Sequence, residues 1–302
     1  MLDIALVGCG GMMPMPGRFL TSLLLRFNGR FALIDCGEGT QVSLRILGWG
    51  FKNIDVIMFT HFHADHITGL PGLLLTIGNA GRDEPLTLIG PKGLSAVVGG
   101  LTVVSKELPF ELRLVEVGEF EEYNVSGFII KSLPLEHRAK CYAYTVEINR
   151  LPKFNPESAL ALGIPKQLWS KLQRGEDVFC DGKTYTPGLV MGDSRRGIKI
   201  AYCTDTRPVK TLPDFVKGAD IFVCEGIYGD NGKIDKAREY KHMLFSEAAE
   251  IAKKGEVGEL WLTHYSPSLT NPGEFLHNAT GIFANTFLGY DRKNTTVRFE
   301  QL

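Results

Sequence analysis

Apolar runs separated by short polar breaks dominate the first third of the chain, and Leu2–Val7, Ser22–Phe27, Phe31–Asp35, Val56–Phe59 and Leu86–Ile89 read as strands. Between them Thr40–Leu47, Thr68–Asn79 and Gly93–Val104 carry helical spacing. Strands of nearly continuous apolar character interleaved with helices predict sheets covered by helices, an α/β layered architecture. The pattern resumes further on with strands at Phe128–Pro134, Ala143–Ile148, Ile198–Cys203, Ile221–Glu225, Leu260–Thr263 and Thr296–Phe299, and helices at Ser246–Lys254 and Phe275–Phe287. Asn149–Asp193 is different. It holds Pro152, Pro156, Pro165 and Pro187, several glycines and weak periodicity, which predicts an insertion or arm. There Lys153, Lys166, Lys171, Arg174 and Lys183 outnumber Glu157, Glu176, Asp177 and Asp181 by one.

Composition narrows the function classes. The 302 residues are 44% hydrophobic and 22% charged, enough to bury one large core or two modest ones, which excludes a disordered or fibrous chain. With 33 Lys and Arg against 34 Asp and Glu, no global basic field exists, so a polyanion must be held at a local site. Apolar runs such as Leu73–Ile77 are too short to span a bilayer, and Met1–Val7 lacks the features of a signal peptide, so a cytoplasmic protein is expected. Six cysteines without a Cys-x-x-Cys pair read as reduced, mostly buried thiols.

The chemistry concentrates in Thr60-His61-Phe62-His63-Ala64-Asp65-His66, directly after an apolar strand and before a helical run. Residues two apart in an extended segment share a face, so His61 and His63 converge, and the turn into the helix swings Asp65 and His66 toward the same cleft. Neutral imidazoles with a carboxylate suit Zn²⁺, and Mn²⁺ or Fe²⁺ accept the same ligands. His137, Asp205 and His264 each follow a predicted strand, the place where α/β sheets put their ligand sites. Five histidines and two aspartates are more than one tetrahedral ion needs. They suit a pair of metals sharing a carboxylate such as Asp205, whose natural chemistry is hydrolysis by an activated water. No Gly-x-Ser-x-Gly elbow or Walker-type loop suggests a different mechanism.

His61-Phe-His-Ala-Asp-His66 with His137, Asp205 and His264 resembles the metallo-β-lactamase superfamily. Within it, Leu6-Val7-Gly8-Cys9-Gly10-Gly11, Asp35-Cys36-Gly37-Glu38-Gly39-Thr40-Gln41, Gly69-Leu70-Pro71-Gly72-Leu73-Leu74, Gly90-Pro91-Lys92-Gly93 and Cys203-Thr204-Asp205-Thr206-Arg207 are similar to the ribonuclease Z family. The resemblance implies an αββα four-layer sandwich as a single domain over residues 1–302, with a flexible arm inserted at about 150–192. It further implies that His61, His63 and His137 hold one divalent ion, that Asp65, His66 and His264 hold another, and that Asp205 bridges them. Zn²⁺ is the expected metal. Asp65 takes the position of the proton acceptor for the attacking water, and His242 that of the group protonating the departing 3′ oxygen. Arg18, Glu225 and Ser266, together with Lys153, Lys166, Lys171 and Arg174 of the arm, are expected on the substrate side. The implied reaction removes 3′ trailers from precursor tRNA, in a homodimer.

Some blocks depart from the family pattern. Pro14-Met15-Pro16-Gly17-Arg18-Phe19 keeps only Pro14 and Arg18 of the loop that handles the tRNA 3′ end, and Met243-Leu244 replaces hydroxyl residues after His242. A more apolar cleft would fit an alternative, a small-molecule metallo-hydrolase of the same fold acting as a cyclic nucleotide phosphodiesterase, lactonase or arylesterase. A catalytically silent RNA-binding scaffold is disfavoured, because every ligand position is filled.

Overall fold

The early apolar runs become β1 (Leu2–Gly8), β2 (Ser22–Phe27), β3 (Arg30–Ile34), β4 (Ile54–Met58) and β5 (Leu86–Gly90), followed by β6 (Leu112–Glu116). They are seen in a computed structural model that describes residues 1–105, 107–118 and 121–300. The later strands are β7 (Glu122–Val125), β8 (Phe128–Pro134), β9 (Tyr142–Arg150), β10 (Val178–Cys180), β11 (Lys183–Tyr185), β12 (Arg195–Cys203), β13 (Ile221–Glu225), β14 (Glu259–Thr263), β15 (Thr286–Leu288) and β16 (Lys293–Val297).

One seven-stranded sheet runs β16-β1-β2-β3-β4-β5-β6, parallel from β3 to β6, and the other runs β15-β14-β13-β12-β9-β8-β7, parallel from β12 to β15. Helices Thr40–Leu47, Leu70–Asn79 and Leu94–Leu101 cover the first sheet, joining Leu44, Leu73, Ile77 and Val98 to Leu33, Ile57 and Leu88 in one buried cluster. Helices Leu212–Val216 and Phe245–Lys254 bury Leu212, Val216, Ala248 and Ala252 on the second sheet's side. Between the sheets Tyr144 donates its hydroxyl to the Phe59 carbonyl at 2.8 Å, and Tyr202 and Thr21 share a hydroxyl bond of 2.9 Å. This is the four-layer αββα arrangement.

Several local expectations need correction. The helix expected over Thr68–Asn79 is two pieces, Ala64–Ile67 and Leu70–Asn79. Gly69 lies at the break, where an added Cβ would sit 2.3 Å from the Gly37 carbonyl oxygen. The helix expected over Phe275–Phe287 is a 3₁₀ turn at Pro272–Phe275, a short helix at His277–Thr280 and strand β15. Gly281 ends that helix, and parallel pairing with β14 recruits Thr286–Leu288. The last strand lies at Lys293–Val297 rather than Thr296–Phe299, set by antiparallel register with β1.

By internal contacts the chain divides into Met1–Ile148 with Lys199–Arg298, and a second unit of Asn149–Ile198 with the C-terminal end from Phe299. The second unit is not irregular: it has helices Pro156–Ala161 and Lys166–Gln173 and the antiparallel hairpin β10–β11. Asn155 caps the first helix through Ser158 N–H at 3.1 Å. Ala159, Ile164, Leu172, Val178 and Val190 form its own small core. Among the described residues, no helix is long and apolar enough to cross a membrane.

Leu88, fully buried in the cluster between the first sheet and its helices, is a sensitive point for stability. Leu88→Ala is expected to lower the unfolding free energy by about 2–5 kcal/mol, read from the urea midpoint.

Candidate active site

β4 ends at Met58, and the chain continues extended to His63, whose φ of −66° and ψ of 150° place it just before helix Ala64–Ile67. The extended segment sets His61 beside His63, with His61 Nε2 2.9 Å from His63 Nδ1. The helical turn carries Asp65 and His66 toward a second group of donors. His137, beyond β8, brings Nε2 to 3.3 Å from His63 Nδ1. His264, directly after β14, brings Nε2 to 3.1 Å from His66 Nε2 and 3.3 Å from Asp65 Oδ2.

Asp205, following β12, stands between the two groups. Its Oδ2 lies 3.3 Å from His61 Nε2 and 3.8 Å from His137 Nε2, and its Oδ1 lies 3.1 Å from His264 Nε2. His61, His63, His137 and Asp205 therefore form one cluster able to hold a metal, and Asp65, His66 and His264 another, each with its ligand atoms within 4.8 Å of one another. Asp205 Oδ1 is buried with no hydrogen bond. Ring nitrogens converging on one another around a buried, unsatisfied carboxylate oxygen fit a divalent cation, which supplies the positive charge their lone pairs otherwise lack.

Electrostatics agree with that donor chemistry. Burial opposes ionisation of Asp205 and Asp65, but the adjacent histidines outweigh it and hold both carboxyls well below the usual carboxylate range. Burial lowers His61 and takes His137 down to about 4, leaving neutral rings with free lone pairs. For His66 burial acts downward, yet Asp205 and Asp35 dominate and raise it.

The backbone is bent to make this possible. Asp35, Asp205 and His264 take left-handed φ values of 59°, 52° and 57°, each costing about 1–3 kcal/mol that the surrounding fold must over-determine. Met12 N–H donates to Asp65 Oδ2 at 2.6 Å. A Cβ on Gly11 would lie 2.6 Å from the His264 ring, so no larger residue fits there.

Asp35 escaped sequence reasoning as a site residue. Its carboxylate receives Thr60 N–H at 2.8 Å, the Thr60 hydroxyl at 2.9 Å and His66 Nδ1 at 2.8 Å, fixing the ring so that Nε2 faces the cluster. An acidic residue closing the apolar run Phe31–Ile34 was the available signal.

His242 is brought to the same place by the loop after helix Ile234–Tyr240, which ends at Lys241 in a left-handed turn. Its ring centre is 5.4 Å from that of His137 and 6.0 Å from that of His264. Nδ1 lies 3.0 Å from Glu225 Oε2, and although burial acts downward, Glu225 prevails and raises His242 to about 9. Glu225, expected to meet substrate, is fully buried, and its other oxygen accepts Thr206 N–H at 2.6 Å. That placement suits holding His242. Arg18 reaches the Leu269 carbonyl at 3.1 Å and lies over the Tyr265 ring, while Ser266 bonds Ser268 at 2.8 Å. Lys153, Lys166, Lys171 and Arg174 are exposed in the second unit, with Lys166 over Trp169 and Arg174 paired to Glu176 at 2.8 Å.

Fold and site together define a metallo-hydrolase of the metallo-β-lactamase fold. Two of the solved structures similar over nearly the whole chain illustrate the fold. The metallo-beta-lactamase fold protein YhfI from Bacillus subtilis has a TM-score of 0.70 and 18% identity, covering 98% of this chain and 100% of its own. Human tRNase Z, short form, has a TM-score of 0.70 and 23% identity, with the same coverage. The family model described as Anti-Pycsar protein Apyc1 matches residues 2–150. Ribonuclease Z of Clostridium kluyveri is 54% identical over 303 residues, covering 100% of both chains, and that of Clostridium acetobutylicum is 53% identical over 99% of each. The chain belongs to the ribonuclease Z family.

Asp35→Asn should weaken binding of divalent metal by about 10–100-fold, measured by competition with a chelating dye. His63→Ala and Asp205→Ala should lose metal stoichiometry by elemental analysis. Full metal content in both would refute the clusters.

Proposed function

We infer that this chain is an endoribonuclease that removes 3′ trailers from precursor tRNA in the cytoplasm, using two divalent ions held by the clusters. The observation that carries the mechanism is the placement of His242, fixed by buried Glu225, over both donor clusters. His61, His63 and His137 would hold one ion and Asp65, His66 and His264 the other, with Asp205 standing between the two groups. The donor set suits Zn²⁺ first and Mn²⁺ or Fe²⁺ next. When bound, such a pair supplies the Lewis acidity that makes water nucleophilic near neutral pH and stabilises charge on the attacking and leaving oxygens.

The chain's own residues manage the protons. Asp65, ionised and held by Met12 N–H, accepts the proton of the attacking water. As the phosphorus–O3′ bond breaks, His242 gives its Nε2 proton to the departing oxygen, and Glu225 keeps the imidazolium protonated and aimed. The products are a 3′-hydroxyl on the tRNA and a 5′-phosphate on the trailer. Because the net charge is only −1, RNA is gripped locally, by the exposed cations Lys153, Lys166, Lys171 and Arg174 of the second unit, with Arg18 and Ser266 on the substrate side of the cleft. The working form is a homodimer in which one subunit's arm serves its partner's cleft.

Metal-loaded protein incubated with labelled precursor tRNA, beside a chromogenic diester and a lactone, should trim the RNA at the discriminator nucleotide. Lactone hydrolysis with the RNA untouched would overturn the reading. His242→Ala should lower kcat by about 10²–10⁴-fold with metal content unchanged. With His242 at about 9, activity falls as pH rises through that value, and Glu225→Gln should move this alkaline limb to lower pH; an unmoved limb would remove Glu225 from the mechanism. Replacing residues 155–191 by a short glycine linker should impair precursor cleavage far more than hydrolysis of the small diester. Equal losses would make the segment structural.

A further inference from the structure

Arg207 has no role in the chemistry described so far, yet it touches the loops that carry Asp205, His137 and His242. It lies just past Asp205, and its backbone N–H donates to the carbonyl oxygen of Glu136, the neighbour of His137, at 3.1 Å. Its Nη1 donates to the carbonyl oxygen of His242 and, at 2.9 Å, to Glu247 Oε2, while Nη2 donates to Glu247 Oε1. Glu247 in turn accepts the Leu244 N–H at 2.9 Å, at the start of helix Phe245–Lys254. From the other side His137 Nδ1 lies 3.3 Å from the Lys241 carbonyl, and Lys241 Nζ donates to Glu136 Oε1 at 2.7 Å. The backbone on either side of the His242 ring is thus tied to the loops of Asp205 and His137. The Arg207 and Glu247 side chains are only 14% and 19% exposed, so this fork is held out of bulk solvent, where bidentate charge-assisted bonds keep their geometry.

We propose that Arg207 is a positioning residue: by clamping the His242 carbonyl against Glu247 it sets where the His242 ring stands relative to Asp205, and so whether the proton meets the leaving oxygen. The proposal rests on the reading of His242 as the proton donor. A lysine cannot reproduce it, since one ammonium does not span the carbonyl and both carboxylate oxygens in a fixed plane. A cavity of about 720 Å³, lined by Arg207, Glu136, Glu247, Lys210 and Arg238, opens beside the guanidinium and gives a small cation access to its place.

The test compares leaving groups in the metal-loaded enzyme. Precursor tRNA releases an alkoxide that needs a proton, whereas bis(p-nitrophenyl) phosphate releases a phenolate that does not. Arg207→Ala and Arg207→Lys should lose about 10²-fold in kcat on the RNA, the order expected of a misplaced catalytic group, against less than about threefold on the aryl diester. Metal content should stay at the wild-type value. Guanidinium chloride below denaturing concentrations should restore RNA cleavage to Arg207→Ala and not to Arg207→Lys. Parallel losses on both substrates, or loss of metal, would show that Arg207 only supports the fold and would overturn the proposal. His242→Ala, run alongside, separates the two readings. If it shows no preference between leaving groups, the assignment of the acid fails and the positioning role falls with it; if it does and the Arg207 variants do not, the positioning role alone is wrong.

Discussion

Everything in the site turns on a single carboxylate shared between two directions. Asp205 sits fully inside the protein, in a left-handed backbone conformation, with one oxygen facing His61 and His137 and the other facing His264. Burial on its own would neutralise such a group. The histidines around it reverse that tendency, and the surrounding structure must hold a charge and a strained φ at once. The two sheets make this tolerable, because the loops beyond β4, β8, β12 and β14 are each anchored to a strand buried in the sandwich.

The outer groups repeat the same economy of construction. Asp35 disciplines His66, Glu225 disciplines His242, and Met12 N–H disciplines Asp65. Each supporting group is a short-range hydrogen-bond partner with little freedom of its own, so ring and carboxylate orientations are set before any ligand arrives. The pKa directions follow from the same arrangement. Rings without a carboxylate partner strong enough to offset burial, such as His137, are pushed toward the neutral form, and His242, paired with Glu225, is pushed toward the charged one.

Much of this was legible in the sequence because strands announce themselves by apolar runs and the ligand-type residues stand directly after them. His61, His137, Asp205 and His264 could be placed at strand ends without any knowledge of what they face. What could not be read is partnership across the chain. Asp35 looks like an ordinary turn aspartate until His66, 31 residues later, comes to rest against it, and Arg207 meets partners 35 and 40 residues away. Local periodicity also misled where tertiary pairing prevailed. Phe275, Leu276, Ala279, Ile282 and Phe283 have helical spacing, yet Gly281 interrupts them and β14 claims the residues that follow. In the second unit the prolines suggested disorder of pattern, while Leu168, Trp169 and Leu172 were spaced to close a miniature core.

The boundaries of that second unit fall inside β9 and β12, which are neighbours in one sheet. The sheet already brings together the two points from which the insertion departs and to which it returns. In topological terms the whole excursion is therefore a decoration on one edge-to-edge step, removable by a brief connection without re-ordering any strand.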